Sequence, residues 1–166
     1  MMSVEPSGGA RLRIDGLVEH ARDFEVDELA AMPAGAHVRV AAEGASKRVG
    51  EGVELAALLD LVRPRPEATH LTLHADHDDF HVSVPLVEVR GQGVVAYARD
   101  GVRLDRATGG PIRFLIRDPS ACHTGELDEC ANVKYLSRLE LTARKGRDTR
   151  PLDDAGHAAL HAQDHA

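Results

Sequence analysis

Aromatic side chains are scarce: Phe, Tyr and Trp make up 3% of the 166 residues, and Trp is absent. A surface that captures nucleic-acid bases by stacking needs more rings than that. Basic residues are in deficit, with 20 Lys and Arg against 27 Asp and Glu and a formal net charge of -7. That balance argues against a broad phosphate-backbone footprint, while leaving room for one local anion site. No apolar run approaches the roughly 20 residues that span a bilayer. Residues 1–10 (MMSVEPSGGA) lack the apolar stretch of a secretion signal. These absences predict a cytoplasmic protein with no membrane span and no nucleic-acid partner. Cysteine is also rare: Cys122 and Cys130 are the only two, and in the cytoplasm they are expected to be reduced.

What is present is ordinary globular material. Hydrophobic residues make up 43% and charged residues 28%. With so few rings, the core must be built from Val, Leu, Ile and Ala. A chain of 166 residues suits one domain and can bury a core without metal or disulfide support. The expected organisation is a flexible lead-in over 1–10, a folded domain over 11–143 and a polar tail over 144–166. Gly146, Pro151 and Gly156 interrupt that tail, and His157, His161 and His165 recur in it every fourth residue.

Alternation and turn residues predict strands over 11–14, 37–41, 47–53, 94–98, 111–117 and 137–142. A hairpin is predicted over 69–84, with His70 and His74 on one strand face, the polar stretch HADHDDF at its tip as a solvated turn, and His77 and His81 in or after that turn. Asp27 is expected to cap a short helix stopped by Pro33. Leucines at helical spacing predict a second helix over 54–62 that Pro64 and Pro66 end. A short helix is expected over 85–89 and a helical turn over 131–136.

Taken in order, LRIDGLV, DELAAMP, GVELAALLDLV, THLTLHADHDDFHVSVPLVEV, VVAYARDGVRL, GGPIRFLI and CANVKYLSRLEL resemble the oxidoreductase molybdopterin-binding domain, the sulfite oxidase-like family. The resemblance runs from about Leu12 to Leu141. It implies a mixed, β-rich α+β fold and a small-molecule cofactor, molybdopterin carrying molybdenum, with electrons passed to a partner protein. It places the segments 110–113 and 133–135 beside that cofactor. Arg113 and Lys134 are then candidates to hold its phosphate, Arg as a bidentate fork and Lys as a point charge. Asn132 is a candidate for polar edges of the pterin. The bland alternatives are a solvated Arg113 and a Lys134 paired with Glu126 or Asp128.

The sequence departs from the family pattern at the metal. The resemblance implies a cysteine thiolate in the loop after the first central strand. That stretch here is HVRVAAEGASKR, with alanine at 41 and 42, and alanine cannot ligate. The extension that completes the cofactor pocket in longer relatives is not expected before Leu12. The glycine-rich loop expected before the Lys motif is replaced by DPSACHTGELDEC. A non-catalytic ligand- or protein-binding module on the same fold is therefore the competing reading.

Cys122, His123 and Cys130 leave three options open: buried small hydrophobes, a redox pair, or metal ligands. Zinc is disfavoured, because the paired Cys-x2-Cys halves of its usual sites are missing. The tail histidines would share one helix face, a geometry suited to adventitious metal. No serine sits in a nucleophile elbow.

Overall fold

The structure, a computed structural model, describes residues 11–40, 50–117 and 133–149. Two five-stranded sheets organise them. The first runs β2-β1-β10-β5-β6, from β1 (Arg11–Gly16), β2 (Arg22–Glu25), β5 (His70–Ala75), β6 (Phe80–Pro85) and β10 (Arg138–Thr142). Within it, β1 pairs with β10 in parallel, and the other pairings are antiparallel. The second runs β3-β4-β7-β8, with β9 also on β7. Its strands are β3 (His37–Val40), β4 (Gly50–Glu54), β7 (Gly93–Arg99), β8 (Val102–Arg103) and β9 (Arg113–Ile116).

Side-chain alternation decides which face is buried. Leu12 and Ile14 of β1, Leu71 and Leu73 of β5, and Val82 and Val84 of β6 all enter one core. Helix α2 (Leu55–Val62) adds Leu55, Leu58, Leu59 and Val62, the i, i+3, i+4, i+7 stripe of an amphipathic helix. The same cluster takes Val53, Val95 and Phe114 from the second sheet. Helix α1 (Val26–Ala30) touches β2 of one sheet and β4 and β7 of the other. Strand β7 is covered on both faces: Val95 joins the main core, while Val94 and Ala96 pack with Val40, Leu104 and Leu115 in a second cluster. Helix α3 (Leu86–Val89) continues from β6 and packs on β5 and β6.

Several local expectations need correction. Helix α1 starts behind Glu25, whose amide donates to Glu28 Oε1 at 3.2 Å. Asp27 lies in the first turn instead of capping it. Residues 133–136 are not a helical turn. Val133 forms a β-bridge with Phe114, donating to and accepting from it at 2.9 and 2.8 Å, because a sheet edge offers these amides partners that an isolated turn lacks. The hairpin tip is only partly a solvated turn. His81 is 4% exposed and His74 8%, since they face each other across β5 and β6. The described start of the polar tail is tied to β6: the Thr149 amide donates to His81 O at 2.8 Å and the Gly146 amide to Ser83 Oγ at 2.8 Å.

Candidate functional site

The site begins with a tight turn. Asp105 Oδ1 accepts from the Thr108 amide at 3.0 Å, and Thr108 Oγ1 accepts from the Asp105 amide at 2.9 Å. This reciprocal capping closes a 3-10 turn over Arg106–Thr108. Gly109 follows at φ +86, a left-handed conformation that a residue with Cβ resists. Gly110 packs against the backbone and Cβ of Leu104, where a side chain would collide. The Gly110–Pro111 peptide is cis, and the chain then enters β9.

Segment 133–136 lies antiparallel along this stretch. The Phe114–Val133 bridge fixes its register. Beyond it, the Leu136 amide donates to Ile112 O at 2.9 Å and the Tyr135 amide to Gly109 O at 2.8 Å. An antiparallel step from Phe114 and Val133 sets Arg113 beside Lys134. Gly109 shows where those two side chains go. A Cβ built on it would stand 3.0 Å from Arg113 Cδ, 3.0 Å from Lys134 Cγ and 3.1 Å from Arg113 Nε. Both stems therefore converge over the one residue that leaves them space. Both side chains are half-buried, and Arg113 Nη1 donates to Thr108 O at 3.3 Å. The described acidic residues supply no ion-pair partner for Lys134.

The second sheet brings another segment to this end. Arg113 pairs with Ala96 in register, and Ala98 of the same strand pairs with Glu51 at the start of β4. Strand β3 ends there as well, with Val40 opposite Gly50. The connection between Val40 and Gly50 thus leaves from the sheet end that carries Arg113. Ala41 and Ala42 lie within it, outside the described residues. A recess of about 180 Å³ adjoins the glycine turn, lined by Arg11, His77, Arg106, Gly110, Pro111, Tyr135, Leu136 and Ser137. Tyr135 Oη donates to Arg106 O at 2.9 Å, which holds the ring against this wall, and His77 meets it edge-on at 5.2 Å between centroids. Tyr135 itself has φ +55.

Of the residues singled out from sequence, Arg113 and Lys134 come together. Asn132, Cys122, His123 and Cys130 lie outside the described residues, as do His157, His161 and His165. Among the described residues no group of three or more His, Cys, Asp or Glu is placed to hold a metal ion. Sequence reading did not single out Arg106 or Arg11 on the recess wall. Isolated arginines next to turns carry no local signal of a shared cavity. It also passed over Gly109 as the seat of the basic pair, although the Gly109-Gly110 doublet was a visible cue for close approach.

In this β-rich α+β domain the Arg113 and Lys134 stems meet over the glycine turn. Its family follows from comparison: the oxidoreductase molybdopterin-binding domain matches residues 4–149, and the chain belongs to that family. No curated protein matches the chain. Among solved structures it is similar to the sulfane dehydrogenase SoxCD from Paracoccus pantotrophus, at 22% identity and a TM-score of 0.63. The match covers 82% of this chain and 39% of that one. At that identity the likeness is one of fold. Among the described residues no helix is long and apolar enough to cross a membrane.

Proposed function

We infer that this domain binds a molybdopterin-type cofactor and that Arg113 and Lys134 hold its phosphate. The observation that carries this reading is the meeting of the two side chains over Gly109, each stem 3.0 Å from a Cβ that glycine lacks. Two neighbouring cations repel each other, and an anion held by both relieves that repulsion. A phosphate accepts several charge-assisted hydrogen bonds there. Asn132, two residues before Lys134, is assigned to the polar edge of the pterin. When bound, a molybdenum cofactor supplies two-electron redox chemistry whose electrons go on to a partner protein. This chain's own residues bind and orient the anionic end, and Gly109 keeps the approach clear.

The thiolate that the family resemblance implies near residues 41 and 42 is missing from the sequence, which has alanine at both. That observation favours a second reading, a non-catalytic ligand- or protein-binding module with the same cradle. Expression in a host that makes the cofactor, followed by metal analysis and release of the pterin, separates the two. Stoichiometric molybdenum with pterin supports the redox domain. Pterin without molybdenum supports a binding module, and neither supports a protein-binding role. Arg113→Gln and Lys134→Gln should each weaken pterin retention by roughly tenfold or more, the size of a lost charge-assisted hydrogen bond. Unchanged retention in both would remove them from the site.

A further inference from the structure

The outward face of the β5–β6 hairpin is polar yet buried. Thr72, His74, His81 and Ser83 are the buried polar residues of the described chain, and they form two directly opposed pairs, Thr72 with Ser83 and His74 with His81. Residues 145–149 cover them. Gly146 sits against Thr72, and its amide donates to Ser83 Oγ. Asp148 Oδ2 accepts from the Ser83 amide at 3.2 Å. Thr149 clasps His81 on both sides, its amide donating to His81 O at 2.8 Å and its Oγ1 accepting from the His81 amide at 2.9 Å.

Inside this cover the two imidazoles meet. His74 Nδ1 lies 2.7 Å from His81 Nδ1. The far side of each ring faces a carboxylate: His74 Nε2 is 3.0 Å from Glu140 Oε1, and His81 Nε2 is 2.9 Å from Asp79 Oδ1. A carboxylate accepts, so both Nε2 atoms carry hydrogen. The close Nδ1 pair then has room for one hydrogen, donated by one ring and accepted by the other. Other charged groups fix this arrangement from each neighbouring element. On β10, Arg138 pairs with Glu140 at 3.3 Å and with Asp15 of β1 at 2.8 Å. From the covering segment, Arg147 reaches Asp79 at 3.1 Å, and Lys145 lies 4.0 Å from Asp148. The Asp76 amide donates to Ser137 Oγ at 3.3 Å, and that hydroxyl in turn donates to His74 O at 2.9 Å. The His81 hydrogen bond, with help from Arg147, keeps Asp79 below the ordinary carboxylate range.

We propose that His74 and His81 share one proton, and that this shared proton latches residues 145–149 over the β5–β6 face. Removal of the proton sets two lone pairs against each other at 2.7 Å. A second proton sets two N–H groups and two positive charges at the same separation. Either change drives a ring out of line. The core face is closed by Leu71, Leu73 and Val82, so the ring moves outward into the covering segment. The segment is therefore best protected while the pair shares one hydrogen, and protection falls when that hydrogen is lost or a second is added.

Two measurements on the full chain test this. Histidine-selective 15N spectra near pH 6.5 should show both Nε2 atoms protonated and the two Nδ1 atoms coupled across one hydrogen. Hydrogen exchange of the Gly146 and Thr149 amides, corrected for intrinsic rates, should give a protection maximum near that pH. His74→Gln should flatten the maximum. Thr149→Val loosens the cover without touching the pair, so it should lower the maximum and leave its position alone. Protection that is flat from about pH 5 to 8, an unprotonated Nε2 on either ring, or a transition metal retained at the pair would each overturn the proposal.

Discussion

The phenol of Tyr97 sits between a histidine and an arginine. His37 Nε2 donates to Met32 O at 2.8 Å, so its Nδ1 is left to accept from Tyr97 Oη at 3.2 Å. Burial raises the Tyr97 pKa above its ordinary value, Glu51 adds to the rise, and the Arg103 guanidinium, 5.3 Å from the ring centroid, opposes it. A raised value means that the folded protein keeps this proton longer than the unfolded chain does. The associated stability is present below about pH 10 and is lost as pH climbs through the raised value. The chain has two tyrosines, so an ultraviolet titration should contain one late phenolate component. Tyr97→Phe should remove that component; its persistence would assign the late titration to Tyr135. At this scale the sequence singled out Arg113 and Lys134, and the fold brings their stems together over Gly109. The His74–His81 contact was not legible. It depends on strand register and on a cover contributed from more than sixty residues away, neither of which leaves a local pattern.

Among the elements, the turn from Arg106 to Gly109 carries the candidate site. Gly109→Ala adds a methyl group at φ +86, where its Cβ meets Arg113 and Lys134 stems at 3.0 Å. The left-handed backbone alone costs about 1–2 kcal/mol. Denaturant unfolding should show that loss, and ligand retention should fall with it. A variant of full stability and full retention would show that the turn has another way to fold. Elements with strong periodicity were readable in advance. The Leu55, Leu58, Leu59 and Val62 stripe of α2 is one, and the alternation of β5 is another. Strand β2 was missed because RDFE buries only Phe24, and β8 because Val102 and Arg103 are both exposed. Segment 133–136 was misread because its described hydrogen bonds go to Arg106, Gly109, Ile112 and Phe114, residues brought near by the fold.

Across the whole molecule, one cluster of buried side chains joins both sheets and α2. The two sheets should therefore melt together. Leu58, fully buried in that cluster, lies on the helix that packs on β4 and β7. Leu58→Ala should lower stability by about 2–5 kcal/mol and keep a single transition by near- and far-ultraviolet circular dichroism. Separate melting of the two signals would mean that the sheets are energetically independent. The β-rich α+β architecture was legible from the order of its motifs, because that order encodes the pairing of distant strands. The amount of polar chain recruited onto β6 was not, since a hydrophilic stretch reads alike whether it covers a sheet or leaves it.

The parallel pairing of β1 with β10 has a consequence during synthesis. The last strand described is inserted between the first and β5, so the ribosome must release Thr142 before that sheet can close. Until then the flanks of β1 and β5 stay open as templates for other nascent chains. A product terminated early, short of Arg138, would keep both flanks permanently available for aggregation.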